Sequence, residues 1–406
     1  METSEIVKLQ LVILTGAIVA IVARRLRIPY TVGLVAAGFL LAVFHVQLGL
    51  TFSRELLFDV LLPPLIFEAA LYIGWEELRR DLAVIGTFAT VGVVLSAAVT
   101  AGVMHLVLGW ELEPAILFGV LIAATDPVSV IATFKEAKVR GRLRVLVEAE
   151  SLFNDGTAAV GFAIALVFAS NGGLSFASAI GMAVLSIFGG IASGVLIGGA
   201  AYLIIGRTND HLVELSMTSV AAFGSFWFAE HFQMSGILAT TAAGLLLGNL
   251  RGFGSITERG EAYIRTFWDF AAFIANTVIF LVLGITAAYQ DLADTLGPIA
   301  VAIVAVLVGR AVAVYPCSAA FAWSERRILP AQQHVMFWGG LRGALALALA
   351  LSIPDSVPMS HTIRTVTFGV VAFSVIVQGT SIQWLIRYLR PAGKRTGEDT
   401  SEPVAS

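Results

Sequence analysis

Thirteen apolar stretches divide this chain of 406 residues, at about 6–24, 29–46, 55–74, 82–108, 114–134, 147–170, 175–206, 211–230, 234–250, 262–288, 295–323, 332–352 and 362–388. Each has at least the roughly 17 residues that carry a helix across a hydrocarbon layer. Lipid offers the backbone no hydrogen bonds, so a segment can cross it only as a helix or as part of a closed barrel. Only 13% of the residues are charged, against about 25% in soluble domains. The pattern predicts an all-α polytopic membrane protein with one transmembrane domain over residues 1–390. The polar tail 391–406 is expected to be disordered. The first apolar run leads into Arg24 and Arg25 with no small-residue cleavage site. It reads as the first span and not as a cleaved leader.

Basic residues orient the chain. With the loop after the first span taken as cytoplasmic, and sides alternating from there, 20 of the 25 Lys and Arg fall on the cytoplasmic side. Only Lys8, Arg54 and Arg364 fall on the other, while Arg310 and Arg342 lie within spans. That asymmetry places the N-terminus outside and the C-terminus in the cytoplasm. The expected location is a cell membrane.

Two spans are interrupted. The fifth carries Asp126-Pro127 at its centre, and proline removes a backbone donor and kinks a helix. The twelfth carries Gly339, Gly340 and Gly343 around Arg342. Spans one to six and eight to thirteen have equal number and opposite direction, so the two breaks occupy matching places. This is the inverted-repeat pattern of secondary transporters, with repeats at about 6–170 and 211–388 and a linking span at 175–206. It is inferred from topology, because the halves show no clear residue-level identity.

Four carboxylates lie inside spans: Glu68, Asp126, Glu150 and Asp155. An ionised carboxylate near the bilayer centre costs roughly 3 kcal/mol on insertion scales. A rise of about 1.5 Å per residue puts Asp126, Asp155, Arg342 and Glu68 at comparable depths, about 9–15 Å from the basic side. On the sixth span Ser151 and Asp155 share one face, and Glu150 and Asn154 the adjacent one. A carboxylate facing a water-filled cavity binds a cation or a proton, and binding them in turn exchanges the two. The break at Pro127 frees backbone carbonyls near Thr125 that can join the shell. Glu150 calls for a positive partner, and Arg310 and Arg342 are the two intramembrane choices. Glu68 reads equally as a ligand or as a residue lining the cavity. The pair Pro63-Pro64 is read as a helix irregularity. Asp59, Glu148, Glu214 and Asp269 fall near span ends, where water is expected to reach them.

Composition excludes other functions. A net charge of −3 offers no basic surface for nucleic acid. The single Cys317 and six histidines supply neither a disulfide framework nor a transition-metal cluster, so no cofactor is expected. No Ser/His pair or metal set shares a membrane layer, which argues against an intramembrane hydrolase and against an enzyme of any kind. A cation channel would need a carbonyl-rich filter, and none is seen.

At these residues the chain resembles the monovalent cation:proton antiporters of the NhaP/NHE type. Thr125-Asp126-Pro127 is similar to that family's unwound-helix motif. Glu150-Ser151-Leu152-Phe153-Asn154-Asp155 is similar to its Asn-Asp motif, and Gly339-Gly340-Leu341-Arg342-Gly343 to its second crossing helix. The run from Leu62-Pro63-Pro64 to Glu68 resembles the segment linked to amiloride binding in animal members. The resemblance implies thirteen spans, a homodimer in the bilayer, and an ion-translocating bundle that moves against a dimerisation domain. Asp155 would be the essential carboxylate for Na+ or H+, with Asp126, Ser151, Thr125 and Glu68 completing the site. Asn154 would stand where electrogenic relatives carry a second aspartate, which implies electroneutral exchange of one Na+ for one H+. Glu150 would pair with Arg310, and Arg342 would support the crossing helices. The motifs leave K+ open as an alternative to Na+ or Li+.

Overall fold

The computed structural model describes residues 3–26, 28–45, 53–126, 134, 141–171, 175–208, 210–249, 258–289 and 295–389. Among them every regular element is helical. The order is α1 (Thr3–Leu26), α2 (Tyr30–Val43), α3 (Leu62–Tyr72), α4 (Trp75–Leu108), α5 (Leu112–Leu121), α6 (Arg142–Asn171) and α7 (Phe176–Ile205). Then follow α8 (His211–His231), α9 (Gly236–Asn249), α10 (Glu258–Tyr289), α11 (Leu296–Ala320), α12 (Pro330–Trp338), α13 (Ala344–Leu351) and α14 (Ser360–Leu389). Seven of these, α4, α6, α7, α8, α10, α11 and α14, are long and apolar enough to cross a membrane. Helices α2, α5 and α9 are shorter apolar ones. Each of the thirteen apolar stretches carries helix, and the chain is a multi-pass membrane protein. Pro127 and the tail 391–406 lie outside the described residues.

Packing sorts the helices into two groups. In one, α2 lies along α10, α3 packs on α9 and α10, and α7 on α8 and α9. Glycines make the close crossings: Gly38 and Gly284 each face the other helix's backbone across the α2–α10 seam, and Gly190 and Gly194 do the same between α7 and α9. Small residues let membrane helices approach closely where lipid provides no hydrophobic drive. The other group joins α4, α5, α6 and α11 to α14. Both groups draw helices from both halves of the sequence.

Among the described residues three π-helical turns occur: Leu56–Leu61 before α3, Phe88–Gly92 within α4 and Ser374–Gln378 within α14. The first explains Pro63-Pro64. These residues open α3, where a missing N–H costs little, and the irregularity sits in the turn before them. Helix α4 begins at Trp75, seven residues before the expected span, and stops at Gly109, whose φ of 67° ends the helix in the left-handed region. Two of the span-end carboxylates are not solvated as expected. Glu214 is wholly buried, and Glu148 is buried against Arg144 one turn away, at 2.5 Å. Distance from a span end does not reveal such burial. Asp59 is half-buried and Asp269 exposed.

Candidate functional site

The two expected breaks meet. Helix α5 ends at Leu121, and the chain runs on without helix through Ala124, Thr125 and Asp126. Helices α12 and α13 are parted by the non-helical stretch around Leu341 and Arg342. The Asp126 N–H donates to the Leu341 carbonyl at 2.7 Å. Arg342, 1% exposed, sends its Nη1 to the carbonyls of Ala123 and Ala124 at 2.7 and 2.9 Å. The backbone groups freed by one broken helix are thus bonded by the other. Among the carbonyls that the break was expected to free, those of Ala123 and Ala124 accept from Arg342. Gly343 is needed here, because a Cβ on it would run into the Asp126 side chain.

A cavity of about 30 Å³ lies beside the crossing, room for an ion with little water. Asp126, Thr125 and Asp155 line it, with Leu62, Leu65, Ile66 and Ala69 of α3 opposite and Gly343 to Ala346 on a third side. The Oδ1 of Asp155 is buried and takes no hydrogen bond among the described residues. Two carboxylates at one small, mostly apolar cavity repel each other unless a cation or a proton intervenes.

A hydrogen-bonded frame stands behind the cavity. Thr125 Oγ1 and Ser151 Oγ are 2.9 Å apart. Asn154 accepts from the Thr125 N–H at 3.1 Å and donates Nδ2 to Thr125 Oγ1 at 2.6 Å and to Glu150 Oε1 at 3.1 Å. Glu150 meets Arg310 two-pronged, at 2.7 and 3.0 Å. Arg310 also donates to the Met336 carbonyl at 2.9 Å, which ties α11 and α6 to α12. Of the residues expected at the site, Asp126, Asp155 and Thr125 line the cavity. Ser151 lies one bond behind it. Asn154 acts inside the frame, with both edges of its amide engaged. Glu68 is half-buried on α3 and does not line the cavity.

Sequence reasoning missed a second support. Ser374 and Gln378, on the π-turn of α14, serve the break between α12 and α13. Ser374 Oγ accepts from the Arg342 N–H at 2.8 Å and donates to Gln378 Oε1 at 2.6 Å, while Gln378 Nε2 reaches the Trp338 carbonyl at 3.3 Å. The signal available was two polar residues four apart in the middle of the apolar run from Phe368 to Gly379. Among the described residues no group of three or more His, Cys, Asp or Glu forms a metal cluster.

The family model for the transmembrane sodium/hydrogen exchanger matches residues 11–388. The chain belongs to this family. The exchanger is 38% identical over 370 residues to the low-affinity Na+/H+ antiporter NhaS1 of Synechocystis sp., covering 89% of this chain and 70% of that one. It is 31% identical over 398 residues to the Na+/H+ antiporter NhaH of Halobacillus aidingensis, covering 94% and 97%. Its fold is similar to that of the sodium proton antiporter MjNhaP1 from Methanocaldococcus jannaschii, with a TM-score of 0.78, 21% identity, and 95% and 98% of the two chains covered.

Proposed function

We propose that this exchanger carries Na+ one way and H+ the other by letting the two ions compete for Asp155. One observation carries the reading: Asp155 lines the cavity at the crossing of two interrupted helices, with a carboxylate oxygen that takes no hydrogen bond among the described residues. Asp126 and Thr125 complete an oxygen set of the kind hard cations prefer. Ser151 and Asn154 fix Thr125, and the Glu150–Arg310 pair fixes Asn154. Among these groups Asp155 is the one that titrates during the cycle, so exchange is electroneutral, one Na+ for one H+.

The same reading includes thirteen spans as two inverted repeats, the N-terminus outside and a cytoplasmic C-terminus. It also includes alternating access, in which the group of α4 to α6 and α11 to α14 moves against the other helices. A homodimer fits the apolar outer faces of α1 and α7, where Leu14, Ile18, Phe176 and Phe188 are exposed. The deciding experiment is transport by purified protein in proteoliposomes, with Na+, Li+ and K+ compared at several pH values. Proton release driven by Na+ is expected. Proton release driven by K+ alone would overturn the choice of ion, and cation flux without proton movement would overturn exchange itself.

A further inference from the structure

Arg142 belongs to the basic side of the chain, yet its guanidinium is occupied inside the protein. Its Nε and Nη2 grip Asp81 at 2.8–3.1 Å. Its Nη2 also reaches the Arg326 carbonyl at 2.7 Å, and its Nη1 the Arg327 carbonyl at 2.8 Å. The Asp81 side chain is 4% exposed. Five hydrogen bonds from one side chain therefore join three elements: α4 through Asp81, α6 through Arg142 itself, and the turn leading into α12 through Arg326 and Arg327. An ordinary exposed loop arginine would not be held this way.

The place of this joint matters. Helix α12 has nine residues, about 13 Å on the usual rise. Its far end is tied near the cavity by Arg310 to Met336 and by Gln378 to Trp338. Its near end follows directly from Arg326 and Arg327. A rod tied at one end swings; tied at both ends it moves with its neighbours. Glu150 lies eight residues along α6 from Arg142, so the Glu150–Arg310 tie and the Arg142 joint sit about 12 Å apart along that helix.

We propose that Arg142 is a positioning residue for transport: by bonding Asp81 and the carbonyls of Arg326 and Arg327, it couples α12 to α4 and α6 so that the bundle carrying the crossing turns as one body. The proposal rests on the exchange reading given above. It separates two properties of the cycle. The cavity residues keep their own bonds without Arg142, so Na+ binding survives its loss. The step that reorients the bundle slows, because part of the motion becomes bending of α12.

The test compares the parent with Arg142→Lys, which keeps the charge and loses the planar fork, with Asp81→Asn, and with the double variant. Each is purified, checked for folding by thermal melting, and assayed in proteoliposomes for Na+ turnover and half-saturation. Turnover is expected to fall at least about threefold in each single variant, with half-saturation for Na+ within about twofold, as for a conformational and not a binding step. The double variant should be no slower than the worse single one. A rescue separates positioning from simple destabilisation. In a Cys317→Ser background, Asp81→Cys with Arg327→Cys is slow until a short bis-maleimide bridges the thiols, and bridging restores turnover. Parental turnover in folded Arg142→Lys and Asp81→Asn overturns the proposal. So does a loss that appears entirely in half-saturation, or a bridge that restores melting temperature without turnover. A parent that exchanges no Na+ for H+ would instead sink the function on which the proposal rests.

Discussion

Glu150 and Arg310 form a parallel two-pronged ion pair, Nη1 to Oε1 at 2.7 Å and Nη2 to Oε2 at 3.0 Å, that links α6 to α11. Both side chains are almost completely buried. The pair also holds Asn154 on one side and Met336 on the other, so it reaches both broken helices without touching the cavity.

Removing one partner leaves the other charged and buried, at a cost of about 3–5 kcal/mol. Glu150→Ala is expected to lower the melting temperature in detergent markedly. The reversed pair Glu150→Arg with Arg310→Glu should recover only part of the loss, since a glutamate at 310 would face the Met336 carbonyl that Arg310 now satisfies. Parental melting of Glu150→Ala would remove the structural role.

Asp155→Asn keeps the shape of the side chain and abolishes its titration. The protein should fold and melt like the parent, yet show no Na+-driven proton release in proteoliposomes. Coupled exchange at more than about a tenth of the parental rate would move the shared carboxylate elsewhere.

Competition at one carboxylate fixes the sign of the pH effect. As pH falls, protons occupy Asp155, and the half-saturating Na+ concentration rises by up to about tenfold per pH unit once the protonated form dominates. At high pH the proton-loaded return becomes rare and turnover drops, giving a bell-shaped profile. Clamping the voltage with K+ and valinomycin at zero and at a large negative value should leave the rate unchanged. A steep voltage response would make Asp126 a second titrating group.

Ser374→Ala removes the acceptor for the Arg342 N–H and the donor to Gln378. A buried donor left without a partner costs about 1–3 kcal/mol. Stability should fall by that amount, seen as a lower melting temperature, and exchange should weaken with it, because the same break carries Gly343 against Asp126. Unchanged melting and unchanged exchange would show that the π-turn of α14 does not support the crossing.

The site was partly legible because its signals are local. Asp126 beside Pro127, Asp155 one turn after Ser151, and glycines around Arg342 are each visible within a few residues, and lipid makes a buried charge conspicuous. What stayed hidden depends on long-range pairing. Ser374 lies 32 residues from Arg342, and a serine in a helix ordinarily bonds its own backbone. Arg142 looks like one more basic loop residue until Asp81, 61 residues earlier, closes on it. A depth counted along the sequence does not fix which way a helix faces, and α3 turns Ile66 and Ala69 to the cavity while Glu68 is not in its lining. Asn154 was legible as a substitution for a charge, while its task of bonding Thr125 and Glu150 was not.

The wall opposite the carboxylates has its own consequence. Leu62, Leu65, Ile66 and Ala69 present hydrocarbon to the cavity that Asp126 and Asp155 line, and none of these four side chains can solvate an anion. In the proposed cycle, once Na+ or a proton has neutralised Asp155, sliding past such a surface would break no polar bond and meet little resistance. When Asp155 is bare, the same passage drags an unscreened charge along a low-dielectric strip. On the proposed exchange reading, the greasy face of α3 would work as a one-rule turnstile: it would discourage empty return strokes, and tight coupling of the two ions would depend as much on this featureless strip as on the acids that hold them.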